Sequence, residues 1–398
     1  MELAIVPPLR RPLRAERRPD PLRDRFASVV EESGLDLLDP DRIEAIGEDM
    51  RIVQRQRVHH SGLLVCGLIL SAFERSTDTE GRWLDAQRTY EALGGPVSGK
   101  TSFRNQTRKM LPVLRELLRR RLSQMTSEAP TSAMRGRLSH FANVLIPDGC
   151  AFKVASALSG MYPGTGQDAE LKLHAVYNVA ARTATSVDIS AGSVHDSDGF
   201  WPTRWEPGAL YIWDLGYNSH KRFIDATEGG AFVLQRFKEG ANPRVVASYG
   251  PTGVRRPIAE DGRTVRLLEA CEFGWVHHQR ALDLDVEITE DRRSVLARVV
   301  CVPFGGQDRY YLTTLPRAIF TAHDVAELYR VRWEVELFFR NWKGAMRLDE
   351  VKRLAHPVSL QVAVTTSLLA AMLARDFSAG LDRIAQEHAQ ESGAFPPS

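Results

Sequence analysis

Between Leu328 and Glu350 the chain reads LYRVRWEVELFFRNWKGAMRLDE. Val331, Val335, Phe338, Trp342 and Met346 recur there at intervals of four, three, four and four, the period of a helix that buries one face. Tyr329, Arg332, Glu336 and Lys343 are separated by three, four and seven residues. At 3.6 residues per turn those spacings stack all four on a second face of the same helix. Two readings of that polar stripe stand side by side. Arg332 and Glu336 form an i,i+4 surface ion pair worth a few tenths of a kcal/mol (roughly), or the helix presents a carboxylate between cations to something that binds there.

Elsewhere the period changes twice. From about Pro40 to His140 the pattern is helical. Ser61–Phe73 is apolar enough for a buried helix, and Thr101–Arg121 is a basic helix that Pro112 kinks or divides. Gly94–Thr101 (GGPVSGKT) matches a phosphate-loop spacing, but a polar helical stretch precedes it rather than a buried strand, so it reads as a helix-to-helix turn. From Asn143 the chain reads as strands. Asn143–Asp148 is a short apolar run ending in an acid, and Leu171–Val179 alternates and pairs through a turn with Thr183–Ser190. Ala209–Asp214 is apolar enough to be buried on both faces, and Ala231–Lys238 is a further strand. Residues 240–305 are strand-rich. There Leu282, Leu284, Val286 and Ile288 alternate with Asp283, Asp285 and Glu287, whose carboxylates are expected in solvent. After Arg309–Thr314 a helix capped by Thr321 and Asp324 runs on through Glu350. Val358–Ala374, interrupted by Gln361, Thr365, Thr366 and Ser367, is a buried helix rather than a membrane span.

Composition bounds the class. Of 398 residues, 43% are hydrophobic and 26% charged, as in an ordinary globular protein with a sizeable core. The net charge of +2 neither requires nor excludes a polyanionic partner. Residues 1–25 are rich in Arg and Pro, which suits a disordered arm or one that tracks phosphates. Cys66, Cys150, Cys271 and Cys301 lack paired spacing, which argues against a zinc site or disulfide framework. The basic start has no apolar stretch behind it and does not read as a signal peptide. His277 and His278 are adjacent on an expected strand and would point to opposite faces, so they do not share an ion. Trp201, Trp205, Trp275 and Trp333 are assigned to the core rather than to base stacking.

Asp148 and Asp214 share a context: each ends an apolar run just before a turn containing glycine. Side by side on parallel strands, they would meet at one sheet edge. Glu336 from a packed helix would complete an oxygen-only set suited to hard divalent ions. Each aspartate taken singly also reads as a turn or cap residue.

Tyr329, Arg332, Glu336 and Lys343 fit Y-(2)-R-(3)-E-(6)-K, which resembles the signature of the insertion-sequence-4 family of DDE transposases. Asp148-Gly149, Asp214 to Tyr217, Ser193 to Asp196, Phe232 to Lys238 and the YYLTTL strand before ELYRVRW are similar to that family as well. The resemblance covers roughly residues 60 to 375, and Cys150 departs from the small hydroxyl residue more usual after the first aspartate. It implies an α/β fold: an RNase H-like mixed sheet flanked by helices, with a β-rich insertion and an N-terminal helical domain. The expected division is a basic arm (1–25), a helical DNA-binding domain (26–140), the catalytic domain in two parts (141–239 and 308–376, with closing helices), the insertion (240–307) and a C-terminal tail (377–398). Asp148, Asp214 and Glu336 would hold two Mg2+ ions, with Mn2+ as a substitute. Tyr329, Arg332, Lys343, Arg236 and Lys238 would contact DNA. Water would cut the phosphodiester at a transposon end, and the freed 3′-hydroxyl would attack target DNA. The implied partners are double-stranded DNA and a second copy in a synaptic dimer, in a bacterial cytoplasm near the nucleoid and without a membrane. A non-catalytic DNA-binding repressor, or a metal-dependent nuclease without strand transfer, are the alternatives.

Overall fold

The structure is a computed structural model that describes residues 38–52, 60–74, 79–127, 136–198, 204–250, 253–258, 265–278, 281–304, 307–346 and 353–391. The basic arm and the last seven residues lie outside them. The apolar runs of the middle of the chain become strands of one mixed sheet. They are β1 (Val144–Lys153), β2 (Glu170–Asn178), β3 (Thr183–Ala191), β4 (Leu210–Trp213), β5 (Phe232–Arg236), β6 (Arg244–Tyr249), β7 (Arg255–Arg256), β8 (Val265–Arg266), β9 (Leu282–Glu290), β10 (Arg293–Phe304) and β11 (Gln307–Thr313). Their order is β3-β2-β1-β4-β5-β11-β10-β9-β6-β7, with β8 beside β6. β1, β4 and β5 are parallel; β2, β3 and the strands from β11 outward pair antiparallel. The strand-rich segment after residue 240 thus extends the same sheet through β11.

Side chains alternate across this sheet and divide the core in two. Val144, Ile146, Leu210 and Ile212 face one cluster; Leu145, Tyr211, Trp213 and Val233 face the other. The first cluster is covered by helices from both ends of the chain: α1 (Pro40–Asp49), α2 (Ser61–Ser71), α3 (Thr79–Ala92), α4 (Lys100–Lys109), α5 (Leu111–Ser127), then, after α6 (His220–Glu228) and α7 (Leu267–His278), α8 (Ala322–Tyr329), α9 (Trp333–Met346) and α10 (Pro357–Glu391). α6 and α7 cover the second, through Phe223, Ile224 and Leu267.

Pro112 divides the basic helix as expected, with the break at Met110. Three of the arginines on either side of it reach across to α10, although only Arg121 is buried. Arg108 Nε donates to Ser359 Oγ (2.8 Å), Arg115 to Gln361 Oε1 (2.8 Å), and Arg121 pairs with Asp376, all on α10. Arg119 and Arg120 both hold Glu116 and drag its carboxyl down to about 2 through their hydrogen bonds. Much of this basic run therefore ties the amino-terminal helices to α10. The apolar window of α10 is 72% buried, so its hydrophobicity serves the core.

Four local expectations are corrected. β1 does not end at Asp148 but runs five residues further along β2, to Lys153. Residues 267–278 form a helix where strand was expected, so strand alternation does not set His277 and His278 on opposite faces; their side chains lie outside the described residues. α10 continues to Glu391 through most of the expected tail, because good helix formers carry it past the last buried apolar position at Met372. Asp283 is buried rather than solvated: Arg298 holds it through Nε (2.7 Å) and Nη2 (2.5 Å), and Arg317 bridges it to Asp285 (2.9 and 2.7 Å). The face that reads as solvent-exposed by alternation is covered by the turn carrying Arg317, which also stacks on Tyr249 at 3.7 Å.

Candidate active site

Parallel pairing fixes the two aspartates. The offset that pairs Val144 with Leu210 and Leu145 with Tyr211 also brings Asp148 level with Asp214, one residue past the end of β4. Both continue the row of even-numbered residues that faces the helical layer of α8, α9 and α10. Asp148 accepts a hydrogen bond from the Gly149 N–H (2.8 Å). Burial pushes its carboxyl up to about 6, despite that bond and the nearby Arg332, and the charges of Asp196 and Asp214 push the same way. Asp214 precedes a short 3-10 turn but makes no capping bond, which leaves its carboxylate free for another donor.

That donor comes from the polar stripe. The helix expected to run unbroken from Thr321 is interrupted: α8, begun by a Thr321–Asp324 capping box, ends at Tyr329, and a 3-10 turn over Arg330–Arg332 leads into α9. Residues three apart eclipse in a 3-10 turn, and Arg332 lies with its guanidinium 5.8 Å from the Tyr329 ring centre. Tyr329 is buried, packs on Tyr311 at 5.0 Å, and donates its hydroxyl to Asp214 Oδ1 at 2.8 Å. Burial and the Asp214 charge keep that phenol firmly protonated. Arg332 Nη1 lies 3.7 Å from Asp148 Oδ2, and Nη2 donates to Glu336 Oε1. One arginine therefore spans two of the expected carboxylates, and the tyrosine one turn earlier takes the third.

The remaining cations have distinct placements. Lys343 is exposed, and its charge acts on the buried Cys150 thiol two residues beyond Asp148. Arg236, at the end of β5, acts on Tyr329. Arg236 and Lys238 line a groove of about 630 Å³ with Asn218 and Tyr310, next to the turn after Asp214. Of the tryptophans assigned to the core, Trp205 packs on Tyr211 and Trp213. Trp333 does not follow that assignment: it is 52% exposed, three residues before Glu336. Trp201 and the Trp275 side chain lie outside the description.

Two residues at the site carry no role in the sequence reading. Asp196, in the SVHD segment after β3, lies 2.5 Å from Lys172 Nζ of β2. A methyl group placed on Gly149 would come within 3.1 Å of Asp196 Oδ1, and one on Gly216 within 3.2 Å of its Oδ2. Asp196 therefore touches the backbone next to both aspartates. The only sequence signal was its place in a segment similar to the family.

In this conformation no three acidic, His or Cys side chains among the described residues are spaced to hold one ion. The carboxylates are gathered through Arg332 and Tyr329 rather than on one another. An oxygen-rich acidic centre level with the carboxyl ends of parallel strands, with arginine and lysine beside it, suits phosphoryl transfer on a polyanion.

Residues 139–373, more than half of the chain, match the transposase DDE domain family, and the chain belongs to that family of enzymes acting on DNA. The transposase for insertion sequence element IS231F of Bacillus thuringiensis subsp. israelensis is 22% identical over 349 residues, 79% of this chain and 72% of the relative. The IS231B transposase of B. thuringiensis subsp. berliner is 20% identical over 351 residues, covering 78% and 72%. A shorter stretch of 65 residues is 38% identical to the putative transposase InsL for IS186A of Escherichia coli (strain K12), 16% of this chain and 17% of that one. Among solved structures, the piggyBac transposase synaptic complex with hairpin DNA aligns with 94% of this chain and 77% of its own, at 9% identity and a TM-score of 0.39.

Proposed function

We propose that this chain is the transposase of an insertion sequence of the insertion-sequence-4 type. Its β3-β2-β1-β4-β5 core is RNase H-like, and Asp148, Asp214 and Glu336 are its catalytic carboxylates. The observation that carries the reading is the reach of Arg332 and Tyr329 from one helical segment to all three carboxylates. A purely structural pair would need only Arg332 and Glu336.

The donor set fits hard divalent ions: it is oxygen-only and includes a buried carboxyl held near 6 by desolvation and like charge. Two Mg2+ ions, or Mn2+, bound there would activate the attacking oxygen and stabilise the leaving one. The chain's own residues do the rest. Tyr329 holds Asp214 in one orientation through its hydroxyl. Arg332, resting between Asp148 and Glu336, is placed to exchange those carboxylates for phosphate oxygens when a DNA end arrives, because guanidinium binds both in the same forked manner. Lys343, Arg236 and Lys238 take further backbone phosphates along the groove. Water cuts the end to leave a 3′-hydroxyl, and that hydroxyl attacks target DNA, in a dimer that pairs two ends.

The test uses labelled transposon-end duplexes with Mg2+. Asp148→Ala, Asp214→Ala and Glu336→Ala are each expected to abolish end cleavage while retaining end binding in a gel-shift assay. Cleavage at the normal rate by any one would remove that residue from the triad. A pre-cut end bearing a 3′-hydroxyl should be joined to plasmid DNA; cleavage without joining would make the protein a nuclease.

A further inference from the structure

Lys172 belongs to β2, paired with Ala151 of β1 and Ser190 of β3, but its side chain leaves the ladder to meet Asp196 at the acidic centre. Lys172 is held from two sides, at 2.5 Å by Asp196 Oδ1 and through a hydrogen bond from its Nζ to the Val194 carbonyl (3.1 Å), and its side chain is only 12% exposed. Lys172 is enclosed while the Asp196 side chain stays 33% exposed, and desolvating the lysine offsets part of their attraction, so the pair is weak support for stability. The position is therefore informative. The turn of residues 196–198 follows β3, and the 215–217 turn follows Asp214. The Asp196 carboxylate lies between Gly149 and Gly216, with one oxygen toward each, so close that neither glycine has room for a side chain unless Asp196 shifts. It thus borders the residue after Asp148 and the turn after Asp214. Its charge reaches Asp148 and is among the causes of the raised carboxyl there.

We propose that Asp196, tethered by Lys172, is a positioning residue of the acidic centre that sets the affinity of the Asp148–Asp214 cluster for a divalent cation. The inference rests on the triad reading above and deepens it. Asp196 adds a negative charge beside both aspartates and props the two turns that carry them; Lys172 aims that carboxylate and offsets part of its charge. Removing the carboxylate leaves a stranded lysine near the cluster, whereas removing the lysine leaves the cluster more negative. The two neutralising substitutions should therefore act in opposite directions.

The experiment titrates Mn2+ into the full chain without DNA, following the free-ion paramagnetic resonance signal. Asp196→Asn is expected to weaken binding about tenfold. Lys172→Met is expected to leave it unweakened or to tighten it several-fold, with both variants matching the parent's far-ultraviolet spectrum. If the pair were a prop and nothing more, both variants would weaken binding alike, and that result would overturn the proposal. So would a wild-type affinity in Asp196→Asn. A third titration separates the triad from the role of Asp196: unchanged Mn2+ binding in Asp148→Ala would refute the triad itself, whereas loss there with no change in Asp196→Asn refutes only the role given to Asp196.

Discussion

Asp148 is held in a state that costs the folded protein stability, and replacing it with asparagine tests that directly. Burial is the first cause of its raised carboxyl, about 6 against an ordinary 3.8, and its own helper bonds do not offset it. The sign follows from linkage: an acid raised on folding favours the fold at low pH, and the contribution is lost as pH rises through the folded value. About two pKa units correspond to about 3 kcal/mol once the group is ionised in both states. At about pH 4.5 the folded carboxyl is mostly protonated, and the cost falls to roughly 1 kcal/mol. Asn keeps the shape and removes the charge, and Arg332 retains Glu336 as a partner. For a chain of 398 residues, an unfolding entropy of about 0.8 kcal/mol/K converts the difference to a rise in Tm of about 3–4 °C near neutral pH and about 1 °C near pH 4.5. Scanning calorimetry with a chelator present measures it. Adding Mg2+ should raise the parent's Tm and not the variant's. A lower Tm for Asp148→Asn at neutral pH, or a gain that does not shrink on acidification, would refute the claim that this carboxylate is electrostatically frustrated.

Three further outcomes follow from contacts at and beyond the site. Tyr329→Phe removes the donor to Asp214 while keeping the ring on Tyr311; end cleavage should fall about 10- to 100-fold, as when a group orienting a metal ligand is lost, with end binding within a few-fold of the parent, and unchanged cleavage would make the hydroxyl dispensable. Trp333→Ala should leave Tm almost unchanged, because the ring is 52% exposed, and should weaken the end complex in a fluorescence-anisotropy titration by roughly 1–3 kcal/mol if it stacks on a base; a large fall in Tm with unchanged DNA binding would return it to the core. Arg298→Met removes the two-pronged partner of buried Asp283 and leaves it to Arg317, and chemical denaturation should register about 3–5 kcal/mol of lost stability with Mn2+ binding intact; a loss under about 1 kcal/mol would mean that Arg317 alone can hold that carboxylate.

Much of the strand framework was legible because its cause is local. The apolar run Ala209–Asp214 can only be a strand covered on both faces, and β4 is buried throughout. The acids after it and in β1 mark where the helical layer leaves an opening. What the sequence hid depends on what lies opposite. Asp283 alternates like a solvated residue until Arg298 and Arg317 arrive from other parts of the chain. Arg108, Arg115 and Arg121 look like a basic surface until α10, more than two hundred residues later, supplies their partners. Asp196 gave no periodic signal at all, because its place is set by a turn and by two glycines far from it in sequence.

Arg332 joins the two kinds of information. Its spacings to Tyr329 and Glu336 were read as one helical stripe, and both readings offered for that stripe treated the helix as uniform. The 3-10 turn changes what the spacing means. Three residues per turn before Arg332 and 3.6 after it let Tyr329 point into the sheet edge while Glu336 stays at the rim, with the arginine between them. A continuous helix would bring Tyr329 and Glu336 closer to a single line. The pair between Arg332 and Glu336 is therefore real, and the same guanidinium also lies 3.7 Å from Asp148, on a strand nearly two hundred residues away.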